Sequence, residues 1–153
     1  MPTIIIRLTN ESAEVISEAC RRAGIRETGG MLFGEHFSSK EFIVVEATVA
    51  DTGSVASFVR NLAKGLIRLE RFFSRTRHNY TRYNYLGEWH SHPSFELVPS
   101  VIDDRTMFEI VNDPDVGAYF AISIIVKLVD TKLQARVFVY YPGTSREVGR
   151  IVF

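Results

Sequence analysis

The stretch Glu88-Trp89-His90-Ser91-His92-Pro93-Ser94-Phe95-Glu96-Leu97-Val98-Pro99-Ser100-Val101-Ile102-Asp103 decides how this chain is read. Tyr85 to Trp89, leading into it, have the aromatic and apolar content of a short strand. Pro93 and Pro99 bracket a loop. Ser100 can cap a helix with Asp103 at its third position, and Asn112-Asp113-Pro114 should end that helix. In extended backbone, residues i and i+2 project to the same side, so His90 and His92 can face one ion. The loop turns the chain back, and Asp103 in the first helical turn can add an oxygen. Three protein ligands with an open fourth position describe a catalytic zinc site, in which a bound water ionises near pH ~7. Taken alone, a His-x-His pair also suits a polar loop, and first-turn carboxylates commonly serve the helix dipole. At this point both readings stand.

Working outward, Thr3 to Leu8 read as a β-rich strand and Thr9-Asn10 as a helix cap. Ala13, Ile16, Ala19, Cys20 and Ala23 recur at helical spacing, with Gly24 as the stop. Thr28–Phe37 and Phe42–Ala50 read as strands, followed by a loop at Asp51-Thr52-Gly53-Ser54. Residues 59–76 carry a helical stripe of Leu62, Leu66, Leu69 and Phe73. Tyr119–Val129 and Leu133–Tyr140 predict a hairpin around Asp130-Thr131-Lys132, and Val148–Phe153 an edge strand. The order predicts one α/β domain with a mixed, largely antiparallel sheet.

Composition narrows the chemistry. The 153 residues fit one domain, and 46% hydrophobic with 24% charged residues exclude a disordered or fibrous chain. Eighteen basic and eighteen acidic residues cancel, which argues against a globally basic nucleic-acid binder. The single Cys20 excludes an internal disulfide and a Cys-cluster zinc site, so a metal must be held by His and carboxylates. Cys20 falls on the apolar helix face and reads as a small core residue. His36 and His78 lack partners at ligand spacing and read as surface residues. Met1–Arg7 does not read as a signal peptide, and the longest apolar stretch, Ala118–Val129, is too short to span a bilayer. The expectation is a cytoplasmic protein with neither nucleic acid nor membrane as partner.

The full spacing sharpens this. His90-Ser91-His92, the seven residues Pro93 to Pro99, Ser100, two more residues and Asp103 form His-x-His-x7-Ser-x2-Asp. This resembles the JAMM motif of the JAB/MPN metallopeptidases. Glu27-Thr28-Gly29-Gly30-Met31-Leu32-Phe33-Gly34 resembles the family's Glu followed by a Gly-rich strand. The order of elements matches over most of the chain. The resemblance implies one JAB/MPN-like domain over 1–153, a curved mixed sheet flanked by helices, and a basic helical insertion at about 51–84. It also implies that His90, His92 and Asp103 bind one catalytic Zn2+. Glu27 would be the general base for a zinc-activated water and then the acid for the leaving amine. Ser100 would donate a hydrogen bond to the oxyanion. Among other carboxylates, Asp104 reads as a helix-dipole partner, Glu96 as solvated, and Glu88 as a group behind the histidines on their own face.

Members of this family remove ubiquitin or ubiquitin-like modifiers from their targets, usually at an isopeptide bond. Gly87-Glu88-Trp89-His90-Ser91-His92-Pro93 resembles the prokaryotic JAB branch. The insertion, with Ser57-Phe58-Val59-Arg60, is similar to a subgroup encoded beside activating- and conjugating-enzyme homologues in bacterial anti-phage systems of the cyclic-nucleotide type. The implied partners are a modifier-like tail and its conjugated target. Two rivals remain: a JAB peptidase that processes a sulfur-carrier protein, and a non-catalytic MPN scaffold. The intact set of five residues argues against the scaffold. From Arg60 to Arg82, six Arg and one Lys oppose only Glu70, a net six positive charges. Arg60, Lys64, Arg68, Arg71 and Arg75 fall on one helical stripe. Such a stripe is either a solvated face or a docking surface for an acidic partner, centred on Arg68 and Arg71.

Overall fold

The computed structural model describes residues 3–50, 70–80, 82–114 and 119–153. Strand β1 (Ile5–Leu8) leads into helix α1 (Asn10–Ala23), and the long strands β2 (Gly29–Ser38) and β3 (Glu41–Ala47) follow. Strand β4 (Tyr83–Ser91) precedes helix α2 (Val101–Asn112). Strands β5 (Ala121–Val129), β6 (Lys132–Tyr140), β7 (Glu147–Val148) and β8 (Arg150–Val152) complete an eight-stranded sheet in the order β7-β6-β5-β4-β2-β3-β1-β8. The sheet is mixed: β1–β3, β1–β8 and β4–β5 pair parallel, and the longer β2–β3, β2–β4 and β5–β6 ladders pair antiparallel. This is the mixed α/β sheet with flanking helices that the sequence predicts.

Local chemistry accounts for the helices. The Thr9 hydroxyl accepts from the Ser12 amide, and Gly24 ends α1 at φ 61°. A side chain at that backbone angle carries a steric cost that glycine lacks. One face of α1 offers Ile16, Ala19 and Cys20 to a core with Ile6, Leu32, Val44, Trp89, Ile122, Ile124, Val126 and Val137. Helix α2 covers the other face, where Met107, Ile110 and Val111 meet Ala121, Ile125, Phe138 and Tyr140. Strand β5 is therefore buried on both sides, as its near-continuous apolar run requires.

Parallel strands need a crossover, and α2 supplies it between β4 and β5. This connection sets the site. It places the C-terminal end of β4 and the N-terminal end of α2 side by side, the end at which open α/β sheets bind ligands.

The sheet departs from the sequence reading in three places. Strand β4 is longer than Tyr85–Trp89 because β2 and β5 pair with it on both sides. The hairpin turn is the two residues Asp130 and Thr131, both at positive φ. The last strand divides into two: β7 pairs with β6 and β8 with β1, so the C-terminal segment ties the two ends of the sheet together. The Gly149 amide donates to Val137, and the Arg150 amide to Ile4.

Most of the basic insertion, including Arg60, Lys64 and Arg68, lies outside the described residues. Residues 70–75 are helical. Phe72 is the buried residue of this turn and stacks on Phe33 at 4.8 Å. Phe73, expected on the apolar stripe, instead meets Tyr80 edge-on at 4.7 Å.

Candidate metal centre

His90 is the penultimate residue of β4, and His92 follows the strand's end. The His92 amide still donates to Val126, which keeps the backbone extended and both rings on one side. Both histidines are buried. The His90 and His92 Nε2 atoms lie 3.0 Å apart, and the Asp103 Oδ2 atom is 3.1 Å from His90 Nε2 and 3.4 Å from that of His92. Among the described residues this is the group that could hold a metal ion. A tetrahedral zinc with Zn–N near 2.0–2.1 Å has ligand edges of about 3.3 Å, so the triangle fits that ion.

The surroundings orient these groups. His92 Nδ1–H donates to the Glu96 carbonyl at 2.9 Å, which leaves the Nε2 lone pair facing the triangle. Glu96 thus contributes through its backbone, while its side chain is exposed, as the sequence suggested. Asp103 closes a capping box with Ser100: the Ser100 amide donates to Asp103 Oδ2 at 2.8 Å, and the Asp103 amide to Ser100 Oγ at 3.0 Å. Burial alone would raise the Asp103 carboxyl, but hydrogen bonds from His90 and Ser100 hold it well below the usual carboxylate range. The carboxylate is therefore ionised and available as a ligand. Ser100 Oγ accepts the cap bond, so its own O–H remains to donate outward, and the residue is exposed.

Glu27 lies two residues before Gly29, the β2 partner of His90. The pairing continues past the strand, since the Ser91 amide donates to the Thr28 carbonyl at 2.8 Å and the Thr28 amide to Ser91 Oγ at 2.9 Å. One residue further, this register sets the Glu27 backbone level with His92. Its exposed side chain makes no hydrogen bond or ion pair with the triangle, and it borders the groove along α1 near Arg26 and Ala50. The structure thus brings His90, His92 and Asp103 together and ties Ser100 to Asp103 through the capping box, while Glu27, just before β2, shares only the backbone level of His92.

Two carboxylates behind this group were only partly legible in the sequence. Glu88 is buried on the sheet face beneath α2. A bulge at Leu86 puts Tyr85 on the same face, and the Tyr85 hydroxyl donates to Glu88 Oε1 at 3.2 Å. Glu88 Oε2 has no partner, and burial pushes the carboxyl up to about 8 despite the Tyr85 bond. Asp104, read as a helix-dipole partner, accepts from the Tyr140 hydroxyl at 2.7 Å and from Arg146 at 2.5 Å.

Arg71 is exposed, and its carbonyl accepts from the Arg75 guanidinium. Arg75 is ion-paired with Glu46, and Arg82 with Glu35 at 2.8 Å. Two of the six net charges counted in the sequence are therefore neutralised within the chain.

A fold and a site of this form define a class. Residues 9–141 match the family of prokaryotic homologues of the JAB domain, and the chain belongs to that family. Over 125 residues it is 33% identical to a protein of Enterobacter hormaechei subsp. hoffmannii named CD-NTase/cGAS isopeptidase. The match covers 81% of this chain and 67% of that protein. A solution structure of a protein from Desulfitobacterium hafniense aligns with TM-score 0.65 at 19% identity, covering 96% of this chain and 91% of the other. The crystal structure of a JAB1/MPN domain protein from Archaeoglobus fulgidus aligns with TM-score 0.51 at 16% identity, covering 99% and 100%. These two likenesses concern the fold. No described helix is long and apolar enough to cross a membrane.

Proposed function

We propose that this chain is a zinc-dependent isopeptidase that removes a modifier-like C-terminal tail from a conjugated protein. The observation that carries the reading is the His90–His92–Asp103 triangle, whose edges suit zinc, in a chain of the JAB family. The name of the Enterobacter relative adds the bond type and a nucleotide-making enzyme as the target. In this reading the setting is bacterial anti-phage defence.

His90 and His92 would each offer an Nε2 atom and Asp103 a carboxylate oxygen. Zinc held by these three residues would polarise the scissile carbonyl and lower the pKa of a water to about 7. The remaining steps belong to the chain. Glu27, solvent-facing and unpaired with the triangle, accepts a proton from the attacking water as the new C–O bond forms. It returns that proton to the departing lysine amine as the C–N bond breaks. The Ser100 O–H donates to the carbonyl oxygen as that oxygen gains negative charge. Phe95, Val101 and Ile102 stand exposed around the ligands, an apolar border suited to a protein substrate.

A chelator-stripped sample is expected to lose cleavage of a modifier–lysine conjugate and regain it with one equivalent of zinc. Cleavage that persists at full rate without metal would contradict the reading. The basic stripe extends the proposal: Arg68 and Arg71 dock an acidic surface of the substrate. Arg71→Glu is then expected to slow cleavage and flatten its salt dependence, and an unchanged salt dependence sinks the docking role.

A further inference from the structure

We propose that Asp104, Tyr140 and Arg146 form a clamp that positions the first turn of α2, and with it Asp103 and Ser100, over the two histidines. The proposal rests on the zinc reading above and assigns these three as positioning residues.

The apolar grip of α2 on the sheet starts late. Met107, Ile110 and Val111 are buried, whereas Val101 and Ile102 are 75% and 61% exposed. The first turn therefore contributes no apolar anchor, although it carries Asp103 and follows Ser100. Asp103 cannot anchor itself, because its approach to His90 and His92 is the quantity that must be held. The two bonds of Asp104 remain. Its Oδ1 accepts from Tyr140 and its Oδ2 from Arg146, so one carboxylate is gripped from β6 and from the segment before β7.

Both donors are fixed. Tyr140 is fully buried and meets Phe108 edge-on at 5.0 Å. Burial and the facing Asp104 push its phenol upward, so it stays protonated and keeps donating. The Arg146 guanidinium lies over the Phe138 ring at 5.6 Å. Asp103 sits one turn, about 6 Å, from the first apolar anchor at Met107. Tilting about that anchor would move Asp103 Oδ2 off a triangle that tolerates errors of only about 0.5 Å.

The test uses Tyr140→Phe, which keeps the ring, and Arg146→Met, which keeps a stem over Phe138. Each is titrated with Co2+ and Zn2+ in competition with a chelator, and assayed for cleavage. The clamp predicts zinc affinity roughly 10-fold weaker, as for losses behind metal ligands. It also predicts a changed cobalt visible spectrum and a fall in kcat with little change in KM. Asp104→Asn, whose amide oxygen still accepts from Tyr140, is expected to retain more affinity than Asp104→Ala. Wild-type affinity, cobalt spectrum and kcat with only a lowered Tm would overturn the clamp and leave a plain structural contact. Wild-type protein that binds neither metal would defeat the zinc reading itself, an outcome distinguishable from failure of the clamp alone.

Discussion

The proposed mechanism places two demands on the Ser100 hydroxyl. Its oxygen accepts the Asp103 amide as an N-cap, and its hydrogen would be offered to the reacting carbonyl. The two roles separate by substitution. Ser100→Ala loses the cap at a cost of about 0.5–2 kcal/mol, whereas Ser100→Gly costs only a few tenths because glycine is tolerated at N-caps. If the hydroxyl donates in the reaction, both variants lose about 10²–10³-fold in kcat while differing in Tm. Thermal melts beside cleavage kinetics decide this, and a Ser100→Gly enzyme near full rate would leave Ser100 only the cap. The sequence made these residues legible because their relations are local. His90 and His92 share a side through strand periodicity, and Ser100 with Asp103 spells a capping box. Glu27 is set level with His92 only by continuing the β2–β4 register past Gly29, which no local pattern encodes, and the family resemblance alone pointed to it. The burial of Glu88 and the partners of Asp104 were illegible for the same reason. Tyr85 reaches Glu88 through a bulge, and Tyr140 lies 36 positions from Asp104.

At the scale of elements, β4 carries the histidines and its geometry depends on Gly87. That residue sits at φ 148°, and a Cβ there would lie 1.9 Å from the Ile122 carbonyl oxygen of β5. Any side chain must therefore push β5 away immediately before Glu88-Trp89-His90. Gly87→Ala is expected to lower Tm and to weaken zinc binding together, measured by thermal melt and chelator competition. Unaltered stability would mean that the β4–β5 spacing is softer than the packing indicates. Asn84 on one side and the Pro93 loop on the other are the reason that the sequence predicts too short a strand: both read as breakers, and pairing on two sides carries β4 from Tyr83 to Ser91. The helices were read closely because their caps are written in the chain. Thr9 and Gly24 bound α1. Ser100 begins α2, which ends at Asn112, beside the expected stop.

The molecule as a whole joins these parts through its C-terminal segment. Strands β7 and β8 flank Gly149 and pair with opposite ends of the sheet, while Arg146 just before them grips α2. The same segment thus closes the fold and holds the helix that carries Asp103. A linear reading of Val148–Phe153 as one edge strand could not reveal this, because both partners are distant in sequence. Charge shows a similar contrast. The neutral total conceals a basic insertion, yet Arg75 and Arg82 spend their charge on Glu46 and Glu35 within the chain. The central claim is that a metal held by His90, His92 and Asp103 works with Glu27 as a separate proton carrier. Glu27→Gln tests it most directly, with bound zinc and cleavage of a modifier–lysine conjugate measured on the same sample. The account predicts stoichiometric zinc with cleavage reduced by about 10²–10⁴-fold. Full cleavage in Glu27→Gln, or zinc lost together with activity, would contradict it.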